Sequence, residues 1–251
     1  LSKSRLMDLS KLDCILFRKD PPVNEKYISM THMLDYLEQD GVLIINSPQS
    51  IRDFNEKLLG NNLTNHYVPT LVSSNQGIIV DFVKKYKLVV VKPLNLMGGQ
   101  DIIKLSYQDK SLSRKLNAIT EDSGKLVMVQ KYLSQIKNGD TRILITNGIV
   151  HEDVLVRYPP KNDFRANLSY GGAFEVRKIK SKHLSHLQDI GVFLKNNRIY
   201  FAGVDMIGDY ITEINITSPT GIQQIETKDK YLSSKISKEF VKIVEQYYDD
   251  K

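Results

Sequence analysis

The chain has 251 residues, of which 41% are hydrophobic and 25% are charged. This composition is typical of a globular protein with a buried core and excludes disordered and fibrous classes. The formal net charge is +6, but lysines are spread along the chain and do not alternate with aromatic residues, so no nucleic-acid partner is expected.

Cys14 is the single cysteine, which excludes an intrachain disulfide and favours a cytoplasmic location. No apolar run approaches the roughly 20 residues that span a bilayer, so no membrane partner is expected.

In the first 60 residues, short apolar runs alternate with segments in which apolar residues recur with the period of a helix. They predict a strand over 13–17, a helix over 24–40, a strand over 42–46, and a helix from Ser47-Pro48 to Leu59. The order βαβα predicts a parallel sheet. Pro21 and Pro22 are incompatible with a helix or a sheet ladder, so the charged residues beside them lie in a loop.

The remaining residues predict a larger, mainly antiparallel part. The predicted strands are a short one near Thr70 and those over 88–92, 102–105, 127–131, 141–146, 149–156, 200–206 and 210–217, and the predicted helices cover 75–86, 112–120, 181–196 and 231–248. Gly98-Gly99 predicts a hairpin flap, and Asn147-Gly148 is typical of a type I′ turn. Residues 158–173 have no period and contain two prolines and two glycines, which predicts a long loop of the kind that forms lids.

A polar pair on one predicted strand is the first candidate for chemistry. Glu213 and Asn215 are two residues apart, so they project from the same face. One interpretation is a half-exposed strand whose polar face meets water. The other adds Asp205 from the partner strand, because two carboxylates and an amide oxygen suit Mg²⁺.

The length of the turn at Gly208-Asp209 separates these interpretations. A two-residue turn places Asp205 opposite Thr212 and away from Glu213, whereas a three-residue loop or a bulge places it opposite Glu213. A metal site therefore predicts a bulge or an odd-length turn here.

Several cations could assist such a site. Lys92 ends an apolar strand just before Gly98-Gly99, whose backbone N–H groups could approach phosphates closely. Lys57, Arg142, Arg157 and Arg165 are each typical of solvated surface charges when taken alone. Together with a metal they would supply the electrostatic stabilisation that phosphoryl transfer requires.

Other chemistries have little support in the sequence. His183 and His186 are three apart on a predicted helix, but no third ligand follows at a zinc spacing. No Gly-x-Ser-x-Gly, Walker A or Rossmann glycine motif occurs. The sequence therefore does not predict a hydrolase or a dehydrogenase.

An ordered set of motifs resembles bacterial glutathione synthetase, a family of the ATP-grasp superfamily. The resemblance runs from about Asp13 to the C-terminus. The motifs are Phe17-Arg18-Lys19-Asp20-Pro21-Pro22, Asn46-Ser47-Pro48-Gln49-Ser50-Ile51-Arg52-Asp53, Asn55-Glu56-Lys57-Leu58, Lys92-Pro93-Leu94 with Met97-Gly98-Gly99, Gly139-Asp140-Thr141-Arg142, and Thr212-Glu213-Ile214-Asn215-Ile216-Thr217-Ser218-Pro219-Thr220.

The resemblance implies an α/β ATP-grasp fold of three domains and a set of site residues. The domains would be an N-terminal substrate domain over 1–54, which lacks the family's opening βαβ unit, a central lid domain over 55–131 and a C-terminal domain over 132–251. The implied nucleotide contacts are Lys57, Lys92, Gly98, Gly99, Gln130, Lys131, Tyr132 and Leu133; the implied magnesium ligands are Asp205, Glu213 and Asn215; the implied catalytic arginines are Arg142 and Arg157; and the implied substrate contacts are Arg18, Arg165, Ser218 and Thr220.

The implied reaction is the ATP-dependent joining of γ-glutamylcysteine to glycine through an acyl phosphate, with Mg²⁺ or Mn²⁺ as the metal. The implied partners are these small molecules and further copies of the chain in a homo-oligomer. The sequence departs from the family pattern at Asn95-Leu96, where Asp-Gly is usual, and at Ala173, where Arg is usual. Two alternatives stay open: another ATP-dependent carboxylate–amine ligase, and an ATP-binding protein without ligase activity.

Overall fold

The computed structural model describes residues 6–94, 101–166, 168 and 171–250. It contains one short parallel sheet and two antiparallel sheets, each covered by helices. The α/β class predicted from the sequence is confirmed. Within the described ranges, none of the helices is long and apolar enough to span a bilayer.

The N-terminal part has the predicted βαβα order. Strands β1 (Cys14–Leu16) and β2 (Leu43–Ile45) pair in parallel. Helix α1 (Glu25–Gln39) connects them, and the Asn24 side chain caps it by accepting a hydrogen bond from the Tyr27 N–H. Gly41 follows the helix at φ +96°, a backbone conformation that favours glycine.

Helix α2 (Pro48–Asp53) is shorter than predicted. The helix ends because Phe54 takes an extended backbone. The Phe54 ring packs edge-on against Phe193, with 5.5 Å between ring centroids. Tertiary packing thus ends the helix although Lys57 and Leu58, further along, favour helix.

The central part is a four-stranded antiparallel sheet with two helices. Its strands are β3 (Thr70–Ser73), β4 (Leu88–Pro93), β5 (Ile103–Ser106) and β6 (Val127–Lys131), in the order β3-β6-β4-β5, and its helices are α3 (Gln76–Tyr86) and α4 (Leu112–Ile119). Strands β4 and β5 form the predicted hairpin. The Gly98-Gly99 flap lies outside the described residues.

The C-terminal part is a larger antiparallel sheet. Its strands are β7 (Asp140–Thr146), β8 (Ile149–Val150), β9 (Asp153–Arg157), β10 (Phe174–Lys178), β11 (Phe201–Ile207) and β12 (Tyr210–Asn215), and its helices are α5 (Leu184–Asn196), α6 (Ile222–Ile225) and α7 (Leu232–Asp249). The strand order is β10-β9-β7-β11-β12, with β8 paired to β7. Asn147 (φ 51°) and Gly148 (φ 80°) both have positive φ, as a type I′ turn requires.

The two faces of this large sheet bury different helices. Ile143 and Ile145 of β7 pack with α5 residues on one face, while Leu144, between them, packs with α6 and α7 on the other. Because successive strand residues alternate in direction, a strand covered on both faces is apolar along most of its length. The polar exceptions at the start of β7, Asp140 and Arg142, therefore point to a function.

The N-terminal part joins the C-terminal sheet through the buried Asn46. Its Nδ2 donates to the Phe201 carbonyl at 2.7 Å and to the Ile216 carbonyl at 2.6 Å, and its Oδ1 accepts from the Phe201 N–H at 2.8 Å. Helix α7 adds apolar contact between Ile243 and the β2 residues Leu43 and Ile45.

We expect Asn46→Ala to lower the free energy of unfolding by about 3 kcal/mol, because it leaves buried backbone groups of Phe201 and Ile216 without hydrogen-bond partners. Urea denaturation followed by circular dichroism measures this change. Asn117→Ala, at an exposed position of α4, is the matched control. Equal unfolding midpoints for the two variants would show that the Asn46 contacts contribute little.

Candidate functional site

The centre of the site is the pairing of β11 with β12. Asp205 lies directly opposite Glu213, whereas the next pair along is Met206 with Ile211. Thr212 is therefore an extra residue on β12, which makes a β-bulge beside Asp205. The bulge that a metal site requires is present.

Asp205 is buried between two arginines. Arg142 Nε and Nη2 donate to its two carboxylate oxygens at 2.5 and 2.7 Å, and Arg157 Nη2 lies 2.9 Å from Oδ1. Burial alone would raise the pKa of Asp205, but the two guanidinium groups outweigh it and hold the pKa at about 2. The carboxylate is thus ionised at neutral pH.

A second carboxylate, Asp140, extends this cluster. Its Oδ2 accepts from Arg157 Nη2 at 2.6 Å, and burial raises its pKa to about 6 against the opposing charge of Arg157. Asp140 Oδ1 and Arg157 Nε are buried without a hydrogen-bond partner among the described residues. Such orphaned polar atoms are typical of a ligand site. Asp140 was not predicted as a site residue, although its spacing of two from Arg142 on one strand placed both on one face.

Two lysines approach the same face from other parts of the chain. Buried Lys57 lies 3.5 Å from Glu213 Oε1. Lys92, at the end of β4, has a pKa lowered by burial, and the carboxylate of Glu213 opposes that shift. The sequence predicted both lysines as nucleotide contacts, and in the structure both lie near Glu213.

A cavity of about 170 Å³ lies between the central and C-terminal sheets. Its walls include apolar side chains such as Val90 and Ile102, and five of the predicted nucleotide contacts line it together with the charged cluster. Lys57, also predicted as a nucleotide contact, does not line it. The predicted residues in its lining are Lys92, Gln130, Lys131, Tyr132, Leu133, Arg142, Arg157, Arg165, Asp205, Glu213 and Asn215. Gln130 is held in place because its Nε2 donates to Thr70 Oγ1 at 3.1 Å and to the Thr212 carbonyl at 3.3 Å.

A second cavity of about 550 Å³ adjoins the first. The predicted substrate contacts Arg18, Ser218 and Thr220 line it. Three residues, Arg142, Arg157 and Asn215, line both cavities, so the junction carries two guanidinium groups. Arg165, predicted as a substrate contact, lines the first cavity instead and pairs with Asp163.

Glu56 is a site residue that the sequence did not assign. Its Oε1 accepts from the backbone N–H groups of Ile216 and Thr217 at 2.6 and 2.8 Å and from Thr217 Oγ1 at 2.8 Å. Burial and the nearby Glu213 raise its pKa, and the Thr217 hydrogen bonds oppose the rise. Glu56 thus fixes the segment after β12 that lines the second cavity. The sequence feature that could have identified Glu56 is its place beside Lys57 in the Asn55-Glu56-Lys57 motif.

The donor set at Asp205, Glu213 and Asn215 fits a hard cation. Asn215 uses Nδ2 to donate to the Gly203 carbonyl at 3.1 Å and to Asp205 Oδ2 at 3.2 Å, so its Oδ1 remains an oxygen donor. An ionised carboxylate, a second carboxylate and an amide oxygen are the ligand types that Mg²⁺ prefers.

The histidines have no such arrangement. His66 stacks on His186 with 4.4 Å between ring centroids, so a third histidine does lie near His183 and His186. Among residues 6–94, 101–166, 168 and 171–250, however, no three or more His, Cys, Asp and Glu side chains are arranged to hold a metal ion.

Two family models match the chain. The model for the ATP-grasp domain of prokaryotic glutathione synthetase matches residues 56–230, and the model for the N-terminal domain of the same family matches residues 1–52. Glutathione synthetase of Coxiella burnetii is 36% identical over 248 residues, which are 99% of this chain and 76% of that protein. Glutathione synthetase of Pseudomonas putida is 41% identical over 218 residues, 87% of this chain and 69% of that protein.

Solved structures of distant sequences share the fold. A D-cycloserine synthetase, DcsG, superposes with a TM-score of 0.71 at 13% identity, covering 94% of this chain and 87% of that one. D-alanyl-alanine synthetase A from Vibrio cholerae gives a TM-score of 0.60 at 14% identity, covering 87% and 72%. The ATP-grasp fold predicted from the sequence is confirmed.

We expect Arg157→Gln to lower the free energy of unfolding by about 3 kcal/mol near neutral pH, because it leaves buried carboxylates without a counter-charge. The loss should shrink as the pH falls toward about 5. Asp140 already has a folded pKa above its unfolded value, and removing the guanidinium raises it further, so the folded variant gains protons and stability on acidification.

Urea denaturation at several pH values, compared with wild type, measures this difference. Arg114→Gln, on the exposed face of α4, removes the same charge away from the cluster. A stability loss in Arg157→Gln that does not change with pH would contradict the assignment.

Proposed function

This chain belongs to the prokaryotic glutathione synthetase family, and we propose that it joins γ-glutamylcysteine to glycine at the expense of ATP. The cysteinyl carboxylate attacks the γ-phosphorus of ATP, so that a C–O–P bond forms and ADP leaves. The amine of glycine then attacks the acyl carbon, phosphate leaves, and the nitrogen loses a proton to give the peptide bond. This makes the chain an ADP-forming carboxylate–amine ligase.

The observation that carries the proposal is the junction of the two cavities. Arg142 and Arg157 line both the cavity with the predicted nucleotide contacts and the cavity with the predicted substrate contacts. The transferred phosphoryl group passes between these ligands, so the cations meet the charge that develops there. Because both guanidinium groups are already held by Asp205, they need little reorganisation when the phosphoryl group arrives.

The first cavity suits a nucleotide. Its apolar walls can take a base, and Lys92 and Glu213 line it together. Lys57 does not line it but lies 3.5 Å from Glu213 Oε1. Asp205, Glu213 and Asn215 would hold Mg²⁺, which neutralises phosphate charge when bound. Asp205 would then serve both as a metal ligand and as the partner of the two arginines.

No protein nucleophile is required for this chemistry, but water must be excluded because it hydrolyses an acyl phosphate. Phe164, Arg165 and Ala166, from the connection between β9 and β10, line the first cavity. This connection is therefore proposed to close the site during turnover. Ala173, in place of the usual arginine, lies near the end of the same connection.

Several finer points remain predictions. They are the domain boundaries after residues 54 and 131, the choice between Mg²⁺ and Mn²⁺, assembly into a homo-oligomer, and a cytoplasmic location. The individual roles of the predicted site residues, including the flap glycines Gly98 and Gly99, are predictions as well.

We expect ADP formation by the purified chain to require MgATP, γ-glutamylcysteine and glycine together. Omitting glycine should lower the rate at least about 10-fold, because the acyl phosphate then has no amine acceptor and the closed site excludes water. A coupled ADP assay with each substrate omitted in turn measures this, and mass spectrometry identifies the product.

Other outcomes of this assay separate the alternatives. Turnover only when glycine or γ-glutamylcysteine is replaced by another amine or carboxylate would identify a different ligase. ATP binding without turnover on any pair would favour the ATP-binding protein without ligase activity.

We expect Glu213→Gln to raise the Mg²⁺ concentration needed for half-maximal activity and to lower kcat by about 100-fold, because an anionic metal ligand becomes neutral. Calorimetric titration of ATP with and without Mg²⁺ gives a second readout: the affinity gained from Mg²⁺ should largely disappear. Glu245→Gln, on the exposed face of α7, is the charge-matched control. An unchanged Mg²⁺ dependence in Glu213→Gln would remove Glu213 from the metal site.

A further inference from the structure

The second cavity carries charges that the phosphoryl chemistry does not use. Arg18 and Asp20, from the loop after β1, line this cavity and do not line the first. The two residues therefore stand apart from the phosphoryl-transfer junction. They are also opposite in charge and two residues apart in sequence, so they offer a cation and an anion to the same ligand.

Arg18 is held in place by contacts on two sides. Its Nη2 donates to the Pro219 carbonyl at 2.7 Å, and its guanidinium carbon lies 5.0 Å from the centroid of the Phe201 ring. These contacts use one nitrogen and one face of the planar group, so the remaining N–H groups can still bind a carboxylate in two-point fashion.

Asp20 is anchored in the same region by one oxygen. Its Oδ1 accepts a hydrogen bond from Ser218 Oγ at 2.6 Å. No described residue donates to its Oδ2. Ser218 itself lines the cavity, so this hydrogen bond orients the Asp20 carboxylate at the cavity wall.

The glutamyl end of γ-glutamylcysteine has complementary charges. It is an α-amino acid, with an ammonium and a carboxylate on one carbon, and it lies at the opposite end of the molecule from the carboxylate that reacts. Resting on the function proposed above, we propose that Asp20 binds the α-ammonium group and that Arg18 binds the α-carboxylate. Asp20 is then a residue that selects γ-glutamyl peptides over acyl-cysteines without an amine.

Glu56 is the competing anion in this cavity, but its chemistry differs. Its Oε1 already accepts three hydrogen bonds from Ile216 and Thr217, and it lies beside Glu213. These bonds commit the Glu56 carboxylate to positioning the segment after β12. Asp20 is exposed, accepts one side-chain hydrogen bond and lies two residues from Arg18.

The test uses Asp20→Asn, which removes the charge but keeps an oxygen that can accept from Ser218. Initial rates are measured with γ-glutamylcysteine and with N-glutarylcysteine, which has hydrogen in place of the α-ammonium group. Asp53→Asn is the matched control: Asp53 is exposed, lies outside the cavity lining and likewise accepts one side-chain hydrogen bond, from Gln49 Nε2 at 2.7 Å.

We expect wild type to prefer γ-glutamylcysteine in kcat/KM, and Asp20→Asn to reduce that preference about 10-fold or more, as loss of one charge-assisted hydrogen bond predicts. The change should appear in KM rather than kcat, since the ammonium group is remote from the reacting carboxylate. Asp53→Asn should keep the wild-type preference. A purely structural role for Asp20 would lower kcat/KM for both substrates by the same factor.

Two results would overturn the assignment: an equal loss on both substrates, or no loss on either, in an Asp20→Asn variant with the wild-type melting temperature. Should Asp20→Asn melt early, Ser218→Ala in the wild-type background measures the anchor separately and should reduce the same preference to a smaller extent. Failure of wild type to turn over γ-glutamylcysteine would instead overturn the proposed function. Normal wild-type turnover with an unchanged preference in Asp20→Asn overturns the Asp20 assignment alone.

Discussion

The ion pair between Arg142 and Asp205 is the interaction on which the site depends. Both side chains are buried, and they lie on neighbouring strands of the C-terminal sheet at the point where the two cavities meet. Burying one charge without the other is costly, so the pair holds both strands in register and keeps the guanidinium group aimed at the junction. Gly203 makes room for it, because a Cβ there would lie 2.8 Å from Arg142 Cδ.

The surrounding charges are arranged around this pair. Arg157 forms ion pairs with both Asp205 and Asp140. Lys57, in the segment that leads into the central sheet, forms an ion pair with Glu213. These charged groups come from four strands of the C-terminal sheet and from the segment after α2, so the cluster forms only when these parts of the chain are assembled. Apolar side chains of similar size in place of these buried charges would often be at least as stable, because they avoid the cost of desolvating the charges. Under the proposed function these charges serve the binding and transfer of phosphate, for which a pre-arranged cationic site is an advantage.

Most elements followed from periodicity, and the departures have local physical causes. Helix α2 stops at Asp53 because Phe54 packs on Phe193, a contact between residues far apart in sequence. Strand β10 was not predicted, although residues 174–177 alternate between apolar and charged as an edge strand does; it directly follows the predicted long loop and, among the described strands, pairs only with β9. The apparent strand over 149–156 divides at His151-Glu152 into β8 and β9.

The sequence by itself determined the class of fold, the turn at Asn147-Gly148, the polar face of β12 and, through its ordered motifs, the family. These features are local, because they depend on period, turn chemistry and residue type within a few positions. Only the tertiary structure decided that Thr212 is bulged so that Asp205 meets Glu213, that Asp140 and Glu56 lie among the predicted site residues, and that Arg165 lines the first cavity. Strand register and the partners of buried charges are set by contacts between distant segments, and a one-residue change in pairing reverses which face each side chain occupies.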